Sequence, residues 1–202
     1  MGHDEGAREG RDGQLSRHRH RGRARRLEDQ GGGALKPHHE HKASAPASLR
    51  FAILTVSDSR TLAQDASGDR IQDLLAHAGH AVARRERVPD EADDIRAAVA
   101  RLLDAPDVDA VVTTGGTGLA PRDVTPEAVA PLLERRVPGF GELFRMLSFE
   151  AIGAAAMLSR AEAGIARGKP CFLLPGSPDA CALAVERLIL PETGHLVALL
   201  RR

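Results

Sequence analysis

The chain contains no tryptophan and no tyrosine, and only five phenylalanines among its 202 residues. Single-stranded nucleic acid is held largely by stacking on aromatic side chains, so nucleic acid is not the expected partner. Only two cysteines are present, Cys171 inside an apolar run and Cys181 in a segment of helical pattern. Neither sits in a CxxC pair. This argues against a disulfide framework or a cysteine zinc site and leaves buried thiols in a reducing compartment. No run of about 18 apolar residues occurs, and the basic N-terminus has no apolar stretch behind it. Neither a membrane span nor a signal peptide is expected, and the cytoplasm is the expected location.

Net charge is missing too, since 28 Lys and Arg balance 28 Asp and Glu. The balance conceals a division. Residues 1–50 hold 11 Lys/Arg, 7 Asp/Glu and 6 of the 9 His with almost no large apolar side chains, which leaves 17 Lys/Arg against 21 Asp/Glu in residues 51–202. A segment so poor in apolar surface cannot offset its ordering entropy. Residues 1–49 are therefore expected to be a disordered basic, His-rich tail, and residues 50–202 a single domain. The run RHRHRGRARR from Arg17 to Arg26 can touch nucleic acid or an acidic surface by charge alone, but a solvated tail is the simpler account. His38, His39 and His41 lack Cys or acidic partners at ligand spacing.

What the folded part does contain is an alternation of apolar periods. Arg50 to Val56 is a short apolar run that ends in polar Ser57-Asp58-Ser59-Arg60, a central strand followed by a loop. Ser67 opens a helix with Ile71, Leu74, Leu75 and Ala78 on one face, closed by Gly79. Ala81 to Val88 is a second strand that stops at Pro89-Asp90. Glu91 begins a helix with Ile95, Val99, Leu102 and Leu103 at the helical period, and Val108 to Thr114 is a third strand. Strand, helix, strand, helix, strand with short connections predicts right-handed crossovers and a parallel sheet covered on both faces. Thr125-Pro126-Glu127 has the chemistry of a helix start with Thr125 as N-cap, and Pro131 ends that helix early. Pro138 to Ala156 carries apolar residues on more than one face and needs wide cover, from the core or from a second subunit through Phe140, Phe144 and Leu147. Ser159 to Arg167 and Lys169 to Leu174 read as a late hairpin. A last helix then runs through Leu183 and Leu188 and breaks at Pro191.

Ligands of such sheets gather at the carboxyl ends of the strands. The loops leaving those ends combine Gly, Ser/Thr and Asp: Ser57-Asp58, Pro89-Asp90, Gly115-Gly116-Thr117-Gly118 with Asp123, and Pro175-Gly176-Ser177. The glycine turn has no lysine, so it is not a Walker loop, and no third glycine follows Gly118 as a dinucleotide fingerprint requires. Taken singly, each loop has a plain reading. The glycines make a tight turn, Asp90 and Asp123 complement helix dipoles, and Ser177 is an N-cap. Taken together, carboxylates, hydroxyls and backbone N–H groups with no Ser-His-Asp or Cys-His set suit a magnesium-bound polyphosphate.

These segments, together with Thr55-Val56, Asp65 with Ser67-Gly68, Val88, Glu91, Thr113-Thr114, Arg122, Val124-Thr125-Pro126-Glu127, Pro138-Gly139-Phe140-Gly141-Glu142 and Leu158-Ser159-Arg160, resemble the molybdenum cofactor biosynthesis protein B family. The resemblance runs from about Phe51 to Ile189 and keeps the motifs in order and spacing. It implies the molybdopterin-binding, MogA-like fold shared with molybdopterin adenylyltransferase and the gephyrin G domain, an α/β three-layer sandwich with a mostly parallel sheet and helices on both faces. It also implies adenylyl transfer from ATP to molybdopterin with Mg2+. Asp90 and Asp123 would hold the metal and orient the reacting phosphates. Gly115, Gly116, Thr117, Gly118 and Thr125 would cradle nucleotide or pterin, Ser57 and Asp58 would border the nucleotide pocket, and Pro175, Gly176 and Ser177 would contact substrate. A homotrimer or hexamer is implied as well. A non-catalytic molybdopterin-binding scaffold of the same fold is the alternative.

Overall fold

The computed structural model describes residues 46–58 and 62–202. Residues 1–45 of the expected tail lie outside the described residues. Leu49 is fully buried, so the packed region begins before Arg50. Six strands form one sheet: β1 (Arg50–Val56), β2 (Ala81–Val88), β3 (Ala110–Thr114), β4 (Arg135–Arg136), β5 (Glu162–Ala166) and β6 (Lys169–Leu174), in the order β2-β1-β3-β6-β5-β4. β1 is parallel to β2 and β3, and β3 is parallel to β6. β5 runs antiparallel to both β6 and β4.

The unbroken apolar run of β1 follows from cover on both faces. Phe51 and Ile53 point into one core with α1 (Ala66–His77), α4 (Pro138–Ile152), α5 (Pro178–Ala184) and α6 (Leu190–Leu200). Ala52, Leu54 and Val56 point into the other with α2 (Ala92–Asp104) and α3 (Thr125–Val129). The result is the expected three-layer α/β sandwich. Thr55 pairs with Thr114, and Thr114 with Leu174, so β1, β3 and β6 end on one line. No helix among the described residues is long and apolar enough to cross a membrane.

Four local expectations are corrected. Helix α1 starts at Ala66, because the Asp65 side chain accepts from Gly68 N and caps it. Thr125 lies inside α3 and caps nothing; its hydroxyl donates to the Gly115 carbonyl at 2.9 Å. Pro191 does not break the last helix. A π-turn over Val185–Ile189 carries the helix on into α6 with Leu190 N donating to Val185 O, and Pro191 follows directly behind this widened turn, which accommodates its missing N–H. Phe140 and Phe144 are core residues, with the Phe140 ring 5.4 Å from that of Phe172 on β6, and are spent inside the subunit. Leu147 is half-buried. The apolar side chains left exposed beside them are Leu143, Met146, Phe149, Ile152, Met157 and Leu158.

Candidate functional site

The loops after β1 and β2 are tied to each other through their acids. Asp58 N donates to the Asp90 carboxylate at 3.0 Å, and Asp90 N donates back to the Asp58 carboxylate at 3.1 Å. Arg122 reaches in from the glycine loop to pair with Asp58, with Glu91 at 3.9 Å. Burial raises the pKa of Asp90 above the usual carboxylate value, and the Asp58 charge adds to this. The Asp58 N–H and Arg122 oppose the rise, while Asp123 reinforces it. Asp58 and Asp90 are thus locked to each other, with the Arg122 guanidinium against Asp58 and the charge of Asp123 felt at Asp90.

The opening turn of the glycine loop is required by close approach. Gly115 and Gly116 have φ of 102° and 63°, the left-handed region that favours glycine. A Cβ on Gly115 would stand 2.2 Å from the Val56 carbonyl oxygen. One on Gly116 would stand 2.3 Å from Thr125 Oγ1 and 3.2 Å from Asp90 Oδ1. The turn is pinned on both sides, by Gly115 N donating to Leu174 O at 3.1 Å and by Thr125 N donating to Gly116 O at 3.0 Å. Beyond it, the Asp123 carboxylate accepts from Ala120 N at 2.9 Å and packs on Gly118.

The Pro175-Gly176-Ser177 loop is held from below. Thr114 Oγ1 donates to Pro175 O at 2.8 Å, and Ser67 Oγ donates to Gly176 O at 2.7 Å. Ser177 caps α5 by accepting from Ala180 N. Beneath Ser67, the buried Asp65 accepts from Thr55 Oγ1 at 2.5 Å, from Gly68 N at 2.9 Å and from Arg85 at 3.0 Å. Burial pushes its pKa up, but these partners outweigh it and the net shift is downward. Both cysteines are buried thiols, and burial pushes Cys171 up to about 12, well away from thiolate chemistry.

Two cavities meet at this rim. The smaller, about 230 Å³, is lined by Thr55, Ser57, Ser67, Asp90, Thr114, Gly115, Gly116 and Gly176 and is polar in character. The larger, about 430 Å³, has Gly116, Thr117, Gly118, Asp123, Pro175, Gly176 and Ser177 on one side. Its other wall is mostly apolar, built from Phe144, Ile152, Ala155 and Ala156 with Ser148 and Ser159. Gly116 and Gly176 form the ridge common to both. Asp58 and Thr125 line neither cavity; the first braces Asp90 and the second braces the glycine turn. The apolar wall was not among the residues expected from the sequence. Its only sequence signal is the excess of apolar faces in the segment of α4. Among the described residues, no group of three or more His, Cys, Asp or Glu is arranged to hold a metal by protein ligands alone.

Residues 52–195 match the family model described as a probable molybdopterin binding domain. Molybdenum cofactor biosynthesis protein B of Bacillus cereus is 49% identical over 164 residues, covering 81% of this chain and 97% of that protein. The Escherichia coli protein of the same name is 47% identical over 143 residues, 71% of this chain and 84% of its own. A crystal structure of a molybdenum cofactor biosynthesis protein B superposes with a TM-score of 0.76 at 49% identity, over 78% of this chain and 99% of the other. The tungsten cofactor synthesizing protein MoaB from Pyrococcus furiosus superposes with a TM-score of 0.70 at 36% identity, over 78% and 100%. With a family model along most of the folded part and relatives near half identity over nearly their whole length, the chain belongs to the molybdenum cofactor biosynthesis protein B family.

Proposed function

We propose that the protein adenylylates molybdopterin. An oxygen of the terminal phosphate of molybdopterin attacks the α-phosphorus of ATP, the bond to the β-phosphate oxygen breaks, and pyrophosphate leaves. The observation that carries this reading is the pair of cavities sharing the Gly116–Gly176 ridge, one polar with Asp90 and one with Asp123 facing an apolar wall. A nucleotide phosphate chain fits the polar cavity beside Ser57. A flat pterin fits the larger one against Phe144 and Ile152, with its phosphate toward Gly116 to Gly118. The reacting phosphates then meet over a backbone that carries no side chain. Phosphoryl-type transfer relies chiefly on such positioning and on electrostatic stabilisation.

The residues present fit magnesium. Asp90 lines the polar cavity, no side chain on Gly116 stands between its Oδ1 and that space, and the neighbouring charges of Asp58 and Asp123 favour a cation beside it. Magnesium typically takes one or two carboxylates and fills its shell with water and substrate phosphates, so a larger protein cluster is not required. When bound, it supplies positive charge against the developing charge on the phosphate oxygens. Asp90 and Asp123 would hold it, while Asp58 and Arg122 keep Asp90 in place. The exposed apolar side chains from Leu143 to Leu158 support self-association, for which a homotrimer or hexamer is the proposed form, and the two free buried thiols are compatible with the proposed reducing, cytoplasmic setting.

A binding-only scaffold is the second reading, favoured by the bond from Ala120 N to the Asp123 carboxylate, which gives that acid a structural role. Asp90→Asn and Asp123→Asn separate the two, because each keeps shape and removes charge. Under adenylyl transfer, turnover with magnesium-ATP falls by about 100-fold or more, as when a main transition-state contact is lost, while molybdopterin binding survives. Wild-type rates in both variants would overturn the assignment of the two acids. A wild type that forms no adenylylated product, by mass detection, would favour the scaffold.

A further inference from the structure

Arg160 follows the short turn that ends at Leu158 and precedes β5. Its side chain, 28% exposed, reaches across to the glycine loop. Nε donates to the Gly118 carbonyl at 2.9 Å, and Nη2 donates to the Asp123 carbonyl at 2.5 Å. Nη1 meets the Glu127 carboxylate on α3. One planar group therefore holds the start of the loop, its acid and the helix behind it. Residues 118 to 123 have no helix or strand of their own, so the loop's shape depends on such ties.

The two carbonyls belong to the residues that set the direction of the Asp123 carboxylate. A Cβ on Gly118 would stand 2.5 Å from Asp123 Oδ2, and the same oxygen accepts from Ala120 N between them. Ser159, next to Arg160, lines the far wall of the larger cavity with Ala155 and Ala156. The bond to Glu127 is the least important of the three, since that carboxylate is 59% exposed and such pairs contribute little.

We propose that Arg160 is a positioning residue for the proposed reaction. Its guanidinium fork aims the Asp123 carboxylate and sets the spacing of the two walls of the larger cavity. Lysine cannot replace it, because a point-charge ammonium lacks the planar fork that serves separate carbonyls at fixed angles. The kinetic part of this inference rests on the adenylyl-transfer reading; the structural part does not.

Full-length Arg160→Lys, Arg160→Ala and, as a control, Glu127→Gln are compared with wild type. Lysine keeps the charge and much of the length, so the test does not depend on the alanine variant folding. Amide hydrogen exchange should quicken across residues 117–124 in both Arg160 variants and stay unchanged in β3. Turnover should fall by about 10- to 100-fold with less than about a threefold change in KM for ATP, the split expected when a transition-state group is misplaced. Glu127→Gln should stay within about twofold of wild type. Unchanged exchange at 117–124 in Arg160→Lys, or full turnover in that variant, overturns the inference. If wild type itself makes no product, the adenylyl-transfer reading falls, and exchange alone decides whether Arg160 positions the loop.

Discussion

Replacing Gly116 with alanine strikes the ridge between the two cavities, and its cost can be worked from the structure. At φ of 63° a non-glycine residue pays about 1–2 kcal/mol for the left-handed conformation. The new methyl would stand 2.3 Å from Thr125 Oγ1, a hydroxyl on a fully buried residue that donates to Gly115 O at 2.9 Å. Relief requires Thr125 to turn away, which leaves a buried carbonyl without its donor at a further cost of about 1–3 kcal/mol. The sum, about 2–5 kcal/mol, corresponds to a fall in melting temperature of about 4–20 °C for a domain of this size. Asp90 Oδ1, 3.2 Å from the same methyl, would also be displaced, so turnover should drop even where the fold survives. Gly139 in the first turn of α4 is the control. Nothing lies within 4 Å of its added Cβ, and alanine there should be neutral or stabilising by up to about 1 kcal/mol. Calorimetry on the two variants checks the reasoning. Equal melting temperatures for Gly116→Ala and wild type would refute the claim that close approach dictates this glycine.

Two further outcomes can be measured. Asp65 has a folded pKa below its ordinary 3.8, so the unfolded chain binds more protons between those two values. Its stabilisation is therefore present above 3.8 and lost as pH falls through the folded value. Asp65→Asn should lower stability by about 1.5–3 kcal/mol at neutral pH and lose less than wild type on acidification; parallel curves would count against the buried network. Met146→Lys with Phe149→Lys, on side chains 56% and 61% exposed, should leave the monomer folded and reduce the scattering mass to about 21.5 kDa from a multiple of it. A wild type already at the monomer mass would refute assembly through this face.

The amino-acid sequence by itself determined the layers and the polar half of the site. An unbroken apolar run placed β1, the stop at Pro89 placed the end of β2, and the helical apolar period placed α2 almost to the residue, because β1 is covered on both faces and α2 is buried on the face that its period predicts. The Asp, Ser and Gly loops were legible because parallel strands must deliver their C-terminal loops to one edge. Sequence could not say how the hydrophobic segment of α4 divides its faces. Phe140 and Phe144 turned inward while Met146 and Phe149 stayed outside, a choice made by where Phe172 and α5 leave room. Nor could it assign the hydroxyl of Thr125, since N-capping and bonding to Gly115 use the same atom and only the close passage of the glycine turn selects one. The apolar wall of the larger cavity and the reach of Arg160 into the glycine loop were likewise decided by tertiary structure. They join residues far apart in the chain, and nothing in a local pattern records which distant carbonyl a guanidinium will meet.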